Sequence, residues 1–525
     1  MPDRLSPLDA SFLTIEDAVN HMHIGSVNVF EGPPPPHDQI LERIGGKLPL
    51  VPRYRQVVRR VPGAIGRPVW VDDQHFNLEY HVRRTALPAP GGEPELRRLV
   101  GRLMSQQLDR TKPLWEIWVV EGLEEERWAM VCKAHHCLVD GVAGTEILAA
   151  ILDLSPDAIA APPAEWQPER SPSGVELLFQ AVRDTARNPV EQVRSLQTMT
   201  AAPREVLGGL LEMTTGSLAL AGLLRRAPSG SLNGPIGPHR RYAWVSTSVE
   251  DVKVVRKGLG GTFNDVVLAV ITTGLRELLA SRGETPERPL RTMVPVSVRA
   301  RDETGKAVGD STFNNKVSAM FADLPVDVDD PLERLRAISI QMAGLKESKE
   351  AMAGERLTSL AGFTPPMLLS LATRLLTGTA IRGINTVTTN VPGPQLPLFA
   401  VGRRLIKAYP YVPLAGHMRV TIAIFSYDGQ VNFGVTGDYD TAPDIEVLCE
   451  GIERGLAELV RLARRSPDSD LIQGHAEHLW PRRVTGAPRR LDRRRKSLEA
   501  ADVGADNGHP RAPVRRGRKK GDGFG

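Results

Sequence analysis

Cysteine is scarce in this 525-residue chain: only Cys132, Cys137 and Cys449 occur, with no paired spacing of the zinc or redox type. A disulfide scaffold, a zinc module and a thiol-redox motif are therefore excluded, and a reduced intracellular compartment is the expectation. Long apolar runs are missing too. No stretch of about 18 to 20 uninterrupted apolar residues appears, and the segment closest to one, GLLEMTTGSLALAGLLRR, is broken by polar residues and glycine. The first residues show no basic stretch followed by an apolar core, so no secretory signal is expected there. The eye finds no internal repeat. What remains is a large soluble protein, long enough for two or three domains.

Charge is unevenly spread. The net charge is +4, yet residues 481–525 carry 14 Lys and Arg against 5 Asp and Glu, which leaves the rest of the chain acidic. This Gly-, Pro- and Arg-rich tail has too few apolar residues to bury a core and is read as a solvated, disordered segment. Attraction to anionic lipid is the second reading, since each basic residue near such a surface contributes about 1 kcal/mol. Nucleic acid is not expected as a partner, because no aromatic platform accompanies the charges.

The most informative string is AHHCLVDGVAG at residues 134–144, fed by the strand-like WAMVCKA. Neighbouring side chains of an extended chain face opposite ways. One imidazole of His135 and His136 can therefore enter an interior space while the other packs behind it, and a two-histidine metal clamp is not expected. Asp140 can fold back to brace the turn, and Gly141 permits a backbone angle that a side chain would obstruct. The bland alternative, a packing histidine at a strand end, is the commoner role of a histidine taken alone.

Strand-like and helical runs alternate along the body. HIGSVNVF, LWEIWVVEGL and RWAMVCKAHH read as strands, PELRRLVGRLMSQQL as a helix, and a helix is expected from about 144 to 154. A Pro- and Ala-rich break precedes a long helical stretch over 174–226. A second α/β unit then runs from residue 242. It holds the helix FNDVVLAVITTGLRELLASRG, in which Val267, Ile271, Leu275 and Leu278 recur at helical spacing as core. Strands are expected at RTMVPVSVR, NNKVSAMFADLP, NTVTTNVPG, MRVTIAIFSYDG and QVNFGVTGDYD, and an amphipathic helix closes the body.

HHCLVDG is similar to the active-site motif of the coenzyme A-dependent acyltransferase superfamily. SPLDASFL at 6–13, PLWE at 113–116, LNGPIG at 232–237, FNDVVLAV at 263–270, VPVSVR at 294–299 and NVPGP at 390–394 resemble markers of one branch, the bacterial wax ester synthase/diacylglycerol acyltransferases of actinobacterial type. The resemblance spans about residues 1–465. Asn314 and Asn315 depart from the Gly-Asn usual there; Asn tolerates a left-handed backbone better than most residues.

The resemblance implies an α/β fold of two similar coenzyme A-dependent acyltransferase-like lobes with a channel between them. The lobes are expected at residues 1–160 and 241–465, joined by a Pro-rich and helical linker at 161–240, with a basic tail at 466–525. It implies O-acyl transfer from a long-chain acyl-coenzyme A to diacylglycerol, forming triacylglycerol. A fatty alcohol acceptor, giving a wax ester, is the alternative within the same chemistry. A non-catalytic lipid-binding or membrane-scaffold protein is the alternative from another class. His136 is the expected proton acceptor, with His135, Asp140 and Gly141 completing the motif and Asn264 a candidate oxyanion donor at a helix start. Asp265 and Arg299 are expected to support the site, Arg299 by pairing with Asp140; the plainer role for Asn264 or Asp265 is capping that helix. Arg240 and Arg241 are candidates to meet coenzyme A phosphates, although the coenzyme-binding residues are not otherwise specified. No metal or cofactor is implied beyond acyl-coenzyme A as co-substrate. The expected location is cytoplasmic, at most peripheral on the inner face of the plasma membrane or on lipid droplets.

Overall fold

Two six-stranded sheets organise the chain. The computed structural model describes residues 2–64, 66–138, 151–159, 166–187, 228, 230–297, 317–347 and 383–465. Its strands are β1 (His23–Phe30), β2 (Gln56–Arg59), β3 (Val69–Asp72), β4 (Val82–Ala86), β5 (Trp115–Leu123), β6 (Arg127–His135), β7 (Arg240–Ser248), β8 (Leu290–Ser297), β9 (Val317–Leu324), β10 (Thr386–Pro392), β11 (Phe399–Ala400), β12 (Arg403–Tyr411), β13 (Val420–Tyr427) and β14 (Gln430–Asp438). Its helices are α1 (Pro7–Ile15), α2 (His37–Lys47), α3 (Leu78–His81), α4 (Glu93–Met104), α5 (Gly174–Arg187), α6 (Val249–Leu259), α7 (Phe263–Ser281), α8 (Pro331–Glu347) and α9 (Ile445–Arg465). Residues 144–150 of the helix expected near 144–154 and most of the one expected over 174–226 lie outside the described residues; of the former's described end only Ile151 is helical, and 152–154 are not.

The first sheet has the order β11-β12-β1-β6-β5-β4 and the second β7-β14-β13-β10-β8-β9; β2 and β3 pair separately. Both sheets mix parallel and antiparallel neighbours, with β4 parallel to β5 and β10 parallel to both β8 and β13. Every residue of β13 is buried, so this central strand is mostly apolar on both faces, interrupted only by Thr421 and Ser426, rather than alternating. Helix α7 is buried from Asp265 through Leu275, well beyond the four-residue stripe that its period shows. Full burial of each large apolar side chain along it contributes about 1.5–3 kcal/mol.

Residues 399–411, which fall in the stretch assigned to the second lobe, complete the first sheet instead. β12 pairs antiparallel with β1, Gly25 facing Tyr411 and Val29 facing Lys407. The same strand lies against β14. A Cβ on Gly434 would sit 1.8 Å from the Pro410 carbonyl oxygen, so only glycine allows the two backbones to meet there. The Tyr242 hydroxyl donates to that carbonyl at 2.8 Å. Tyr242, Trp244, Tyr409 and Tyr411 share one buried cluster with Val27, Val100 and Val131, so both sheets contribute to a single aromatic seam.

Candidate functional site

The histidine pair stands where β6 ends. His135 is its last residue and is fully buried, whereas His136 is half-buried, the alternation expected of an extended chain. The His135 N–H donates to the Leu114 carbonyl at 2.9 Å and the His136 N–H to the Met22 carbonyl at 2.8 Å, so the backbone holds both residues in place. The Cys137 N–H donates to His135 Nδ1 at 3.1 Å. A neutral His135 therefore carries its proton on Nε2.

That proton faces a carboxylate. Glu16 Oε2 lies 3.5 Å from His135 Nε2, an ion-pair contact rather than a full hydrogen bond, and both side chains are almost wholly buried. Arg110 grips the same oxygen through Nε at 2.7 Å and through its second guanidinium nitrogen. Burial alone would raise the Glu16 carboxyl. His135 and then Arg110 outweigh it and hold the group down at about 2. On the other side of the pair, the Phe12 ring stacks on the His136 imidazole with centroids 4.0 Å apart and planes 18° from parallel. Phe12 belongs to α1 and Glu16 is that helix's C-cap, one turn further on.

Cys137 does not supply a nucleophile. Burial, then the Asp9 and Glu16 carboxylates, push its thiol well above the ordinary range, so it is neutral and poorly reactive. Trp115, from the PLWE marker, is core: its indole N–H donates to the Tyr54 carbonyl at 2.7 Å and its ring stacks on His81 at 4.6 Å.

A second constellation comes from the other sheet. Thr262 is the N-cap of α7 and Asp265 closes the capping box, its Oδ2 accepting the Thr262 N–H at 2.8 Å. Capping thus falls to Thr262 and Asp265. Asn264 has a different partner: its Oδ1 accepts from Asn390 Nδ2 at 3.1 Å. That bond turns the Asn264 NH2 away from Asn390 and leaves its two hydrogens to donate elsewhere. The FND and NVPGP markers therefore meet in space. Val391, next to Asn390, packs on the extended apolar cluster to which Cys137 and Leu138 also belong, so the end of β10 borders the core that underlies the histidine turn. Gly393 follows because a Cβ there would come within 2.2 Å of the Ser426 carbonyl oxygen.

With this geometry in view, comparison with known proteins is direct. The wax ester synthase/diacylglycerol acyltransferase catalytic domain matches residues 5–267, and the C-terminal domain of the same family matches residues 313–460. The chain belongs to the wax ester synthase/diacylglycerol acyltransferase family. It is 37% identical over 466 residues to a probable diacylglycerol O-acyltransferase of Mycobacterium tuberculosis H37Rv, covering 88% of this chain and 97% of that one. A second relative from the same strain, with a name of the same kind, is 32% identical over 469 residues, covering 87% and 98%. Among solved structures, the wax ester synthase/diacylglycerol acyltransferase from Marinobacter aquaeolei VT8 superposes with a TM-score of 0.63 at 29% identity, covering 88% of this chain and all of that one. The first condensation domain of the calcium-dependent antibiotic synthetase shares the fold at a TM-score of 0.55 and 16% identity, covering 90% and 98%. The architecture is thus the two-lobed one of condensation domains and coenzyme A-dependent acyltransferases.

Within this family framework, Asp140, Gly141 and Arg299, like Asn314 and Asn315, lie outside the described residues, and so does the expected Asp140–Arg299 pair. The expectation that Arg240 meets phosphates is overturned, and Arg241 is engaged by Tyr439. Arg240 is 2% exposed, and its guanidinium donates to the carbonyls of Gly237, His239 and Val19. Arg241 donates to the Tyr439 carbonyl at 2.8 Å and lies over the Tyr439 ring. These arginines fasten β7 to its surroundings. Sequence reasoning missed Phe12, Glu16 and Arg110. The first two had a signal, lying in or just after the SPLDASFL marker four residues apart; Arg110 had none. Among the described residues no group of three His, Cys, Asp or Glu is placed to hold a metal ion, and no single helix is long and apolar enough to cross a membrane.

Proposed function

We propose that this protein is an acyl-coenzyme A:diacylglycerol O-acyltransferase that forms triacylglycerol, with His136 as the general base. The observation that carries this reading is the division of labour in the histidine pair. His135 is sealed and committed to Cys137 and Glu16, while the half-buried His136 ring lies against Phe12 at the strand end. A hydroxyl is a weak nucleophile, so the His136 imidazole takes its proton as the oxygen attacks the thioester carbonyl carbon. The C–S bond then breaks, and the imidazolium returns the proton to the coenzyme A thiolate. No acyl-enzyme forms, in keeping with the neutral Cys137 thiol. Asn264, with its oxygen engaged by Asn390, presents its NH2 to the tetrahedral oxyanion. Base catalysis contributes about 10²- to 10⁴-fold, and an oxyanion donor about 10²- to 10³-fold.

The naming of the mycobacterial relatives favours diacylglycerol as acceptor, and the Marinobacter neighbour, named for both activities, keeps a fatty alcohol as the second reading. The enzyme would work in the cytoplasm, peripherally attached to the inner face of the plasma membrane or to lipid droplets, because acceptor and product are both lipids. The test supplies purified protein with palmitoyl-coenzyme A and either diacylglycerol or hexadecanol and follows thiol release. Faster release with diacylglycerol is expected. Release with hexadecanol alone would reassign the acceptor, and none with either would remove the enzymatic reading.

A further inference from the structure

The carboxylate that faces Nε2 of the first histidine stands at the end of one short N-terminal helix, and the ring of the second histidine is covered by the same helix. Ser6 caps α1, its Oγ accepting the Asp9 N–H at 3.1 Å, and proline occupies the first turn, so the nine-residue helix is well started. Phe12 and Glu16 lie one turn apart and share a face. The helix is then held at both ends. Before it, Leu5 donates its N–H to the Pro68 carbonyl at 2.9 Å. After it, the turn at 17–20 closes on Asp17, whose Oδ1 accepts the Val19 and Asn20 N–H groups at 2.8 Å each. Arg240 grips the Val19 carbonyl, and Asn20 Oδ1 accepts the Gly416 N–H at 2.8 Å. The end of α1 is thereby tied to β7 and to the loop preceding β13.

We infer that α1 is the positioning element of the catalytic base: Glu16, clamped by Arg110, fixes His135 and with it the Cys137 turn, while Phe12 fixes the plane of the His136 ring. This rests on the reading of His136 as base and deepens it. The consequences follow from the geometry. With Nδ1 of His135 accepting from Cys137, only the Nε2–H tautomer satisfies both ends, and a carboxylate facing Nε2 favours that tautomer over its alternative. The Cys137 N–H is the first amide beyond His136. A His135 ring that turned over would release it and free the His136 peptide to rotate. Phe12 acts on the other face. At 4.0 Å and nearly parallel, the ring leaves the imidazole free to move within its plane and blocks rotation out of it. Neither residue touches the reacting atoms in this scheme, so both are positioning residues, and their loss should appear in turnover rather than in substrate binding.

The experiment measures kcat and KM of thiol release, with melting temperatures, for the full chain and for His136→Ala, Glu16→Gln, Phe12→Ala and Phe12→Trp. Histidine 15N spectra report the tautomer of His135. The inference expects His136→Ala to lose at least about 10²-fold in kcat. Glu16→Gln should lose about 10- to 100-fold in kcat, a fraction of the full base contribution, with KM for palmitoyl-coenzyme A within about threefold. The His135 Nε2–H signal of the wild type should give way to a tautomer mixture. Phe12→Ala should lose about tenfold in kcat and Phe12→Trp should recover most of it. That loss in His136→Ala with Glu16→Gln and Phe12→Ala at full turnover would overturn the positioning role and leave the base assignment intact. His136→Ala at the wild-type rate would overturn the base assignment itself, and this inference with it. Should Glu16→Gln fail to fold, the Phe12 pair decides: equal activity of the alanine and tryptophan variants refutes the inference.

Discussion

Acid should weaken this protein through Glu16 in a way that one substitution exposes. Glu16 is 3% exposed, and its carboxyl is held at about 2 against an ordinary value of 4.5, the contacts with His135 and Arg110 exceeding the burial penalty. A group whose pKa is depressed on folding adds stability that is fully present above its unfolded value and is lost as the pH falls toward the folded one. At about 1.36 kcal/mol per pKa unit, Glu16 contributes a few kcal/mol near pH 6 and less than half of that at pH 3. Glu16→Gln removes the titration while keeping the shape. Acid-sensitive groups that do not touch Glu16 contribute alike to both proteins and cancel in the difference, whereas His135 is part of the pair being measured. Urea unfolding followed by tryptophan fluorescence, with Trp115 and Trp128 buried as reporters, should show the wild-type advantage shrinking by about 2 kcal/mol between pH 6 and pH 3. An advantage that stays constant over that range would refute the argument, since the Glu16 carboxylate could not then be the ionised, clamped partner of His135.

Other expectations follow from single contacts. Asn264→Ala should lower kcat about 10²- to 10³-fold with little change in KM, the signature of an oxyanion donor; an equal rise in KM with kcat preserved would make Asn264 a substrate-binding residue instead. Iodoacetamide at pH 8 should leave both mass and turnover unchanged, because burial raises the Cys137 thiol well above its usual range and pushes Cys132 and Cys449 up to about 12; rapid alkylation with loss of turnover would contradict this. Gly434→Ala should lower the melting temperature, since the new methyl meets the Pro410 carbonyl and such overpacking costs about 1–3 kcal/mol; an unchanged transition would mean that the seam between β12 and β14 is looser than described.

Local chemistry made much of this legible. Strands such as β1 and β6 and the helices α7 and α9 follow from period and apolar content, and the opposite fates of His135 and His136 follow from strand alternation alone. Strand β12 escaped notice because RRLIKAYPY carries a proline and no clean alternation, and because its partner β1 lies some 380 residues away in sequence, beyond any local pattern. Arg110 is hidden for the same reason, meeting Glu16 across 94 residues. Arg240 and Arg241 misled in the opposite direction. As arginines flanking a loop they suggest contacts with coenzyme A phosphates, yet the Arg240 guanidinium is taken up by backbone carbonyls and Arg241 lies over a tyrosine ring with its Nε on the Tyr439 carbonyl. For Asn264 the residue type was informative and the partner was not: only the fold brings Asn390 to its oxygen and so orients its NH2.

The central claim is that the His136 imidazole takes the proton from the acceptor hydroxyl. Thiol release from palmitoyl-coenzyme A in the presence of diacylglycerol, compared for the wild type and a folded His136→Ala variant, tests it most directly. The account predicts a loss of at least about 10²-fold in kcat with an unchanged melting temperature. Turnover by the variant at the wild-type rate would contradict it.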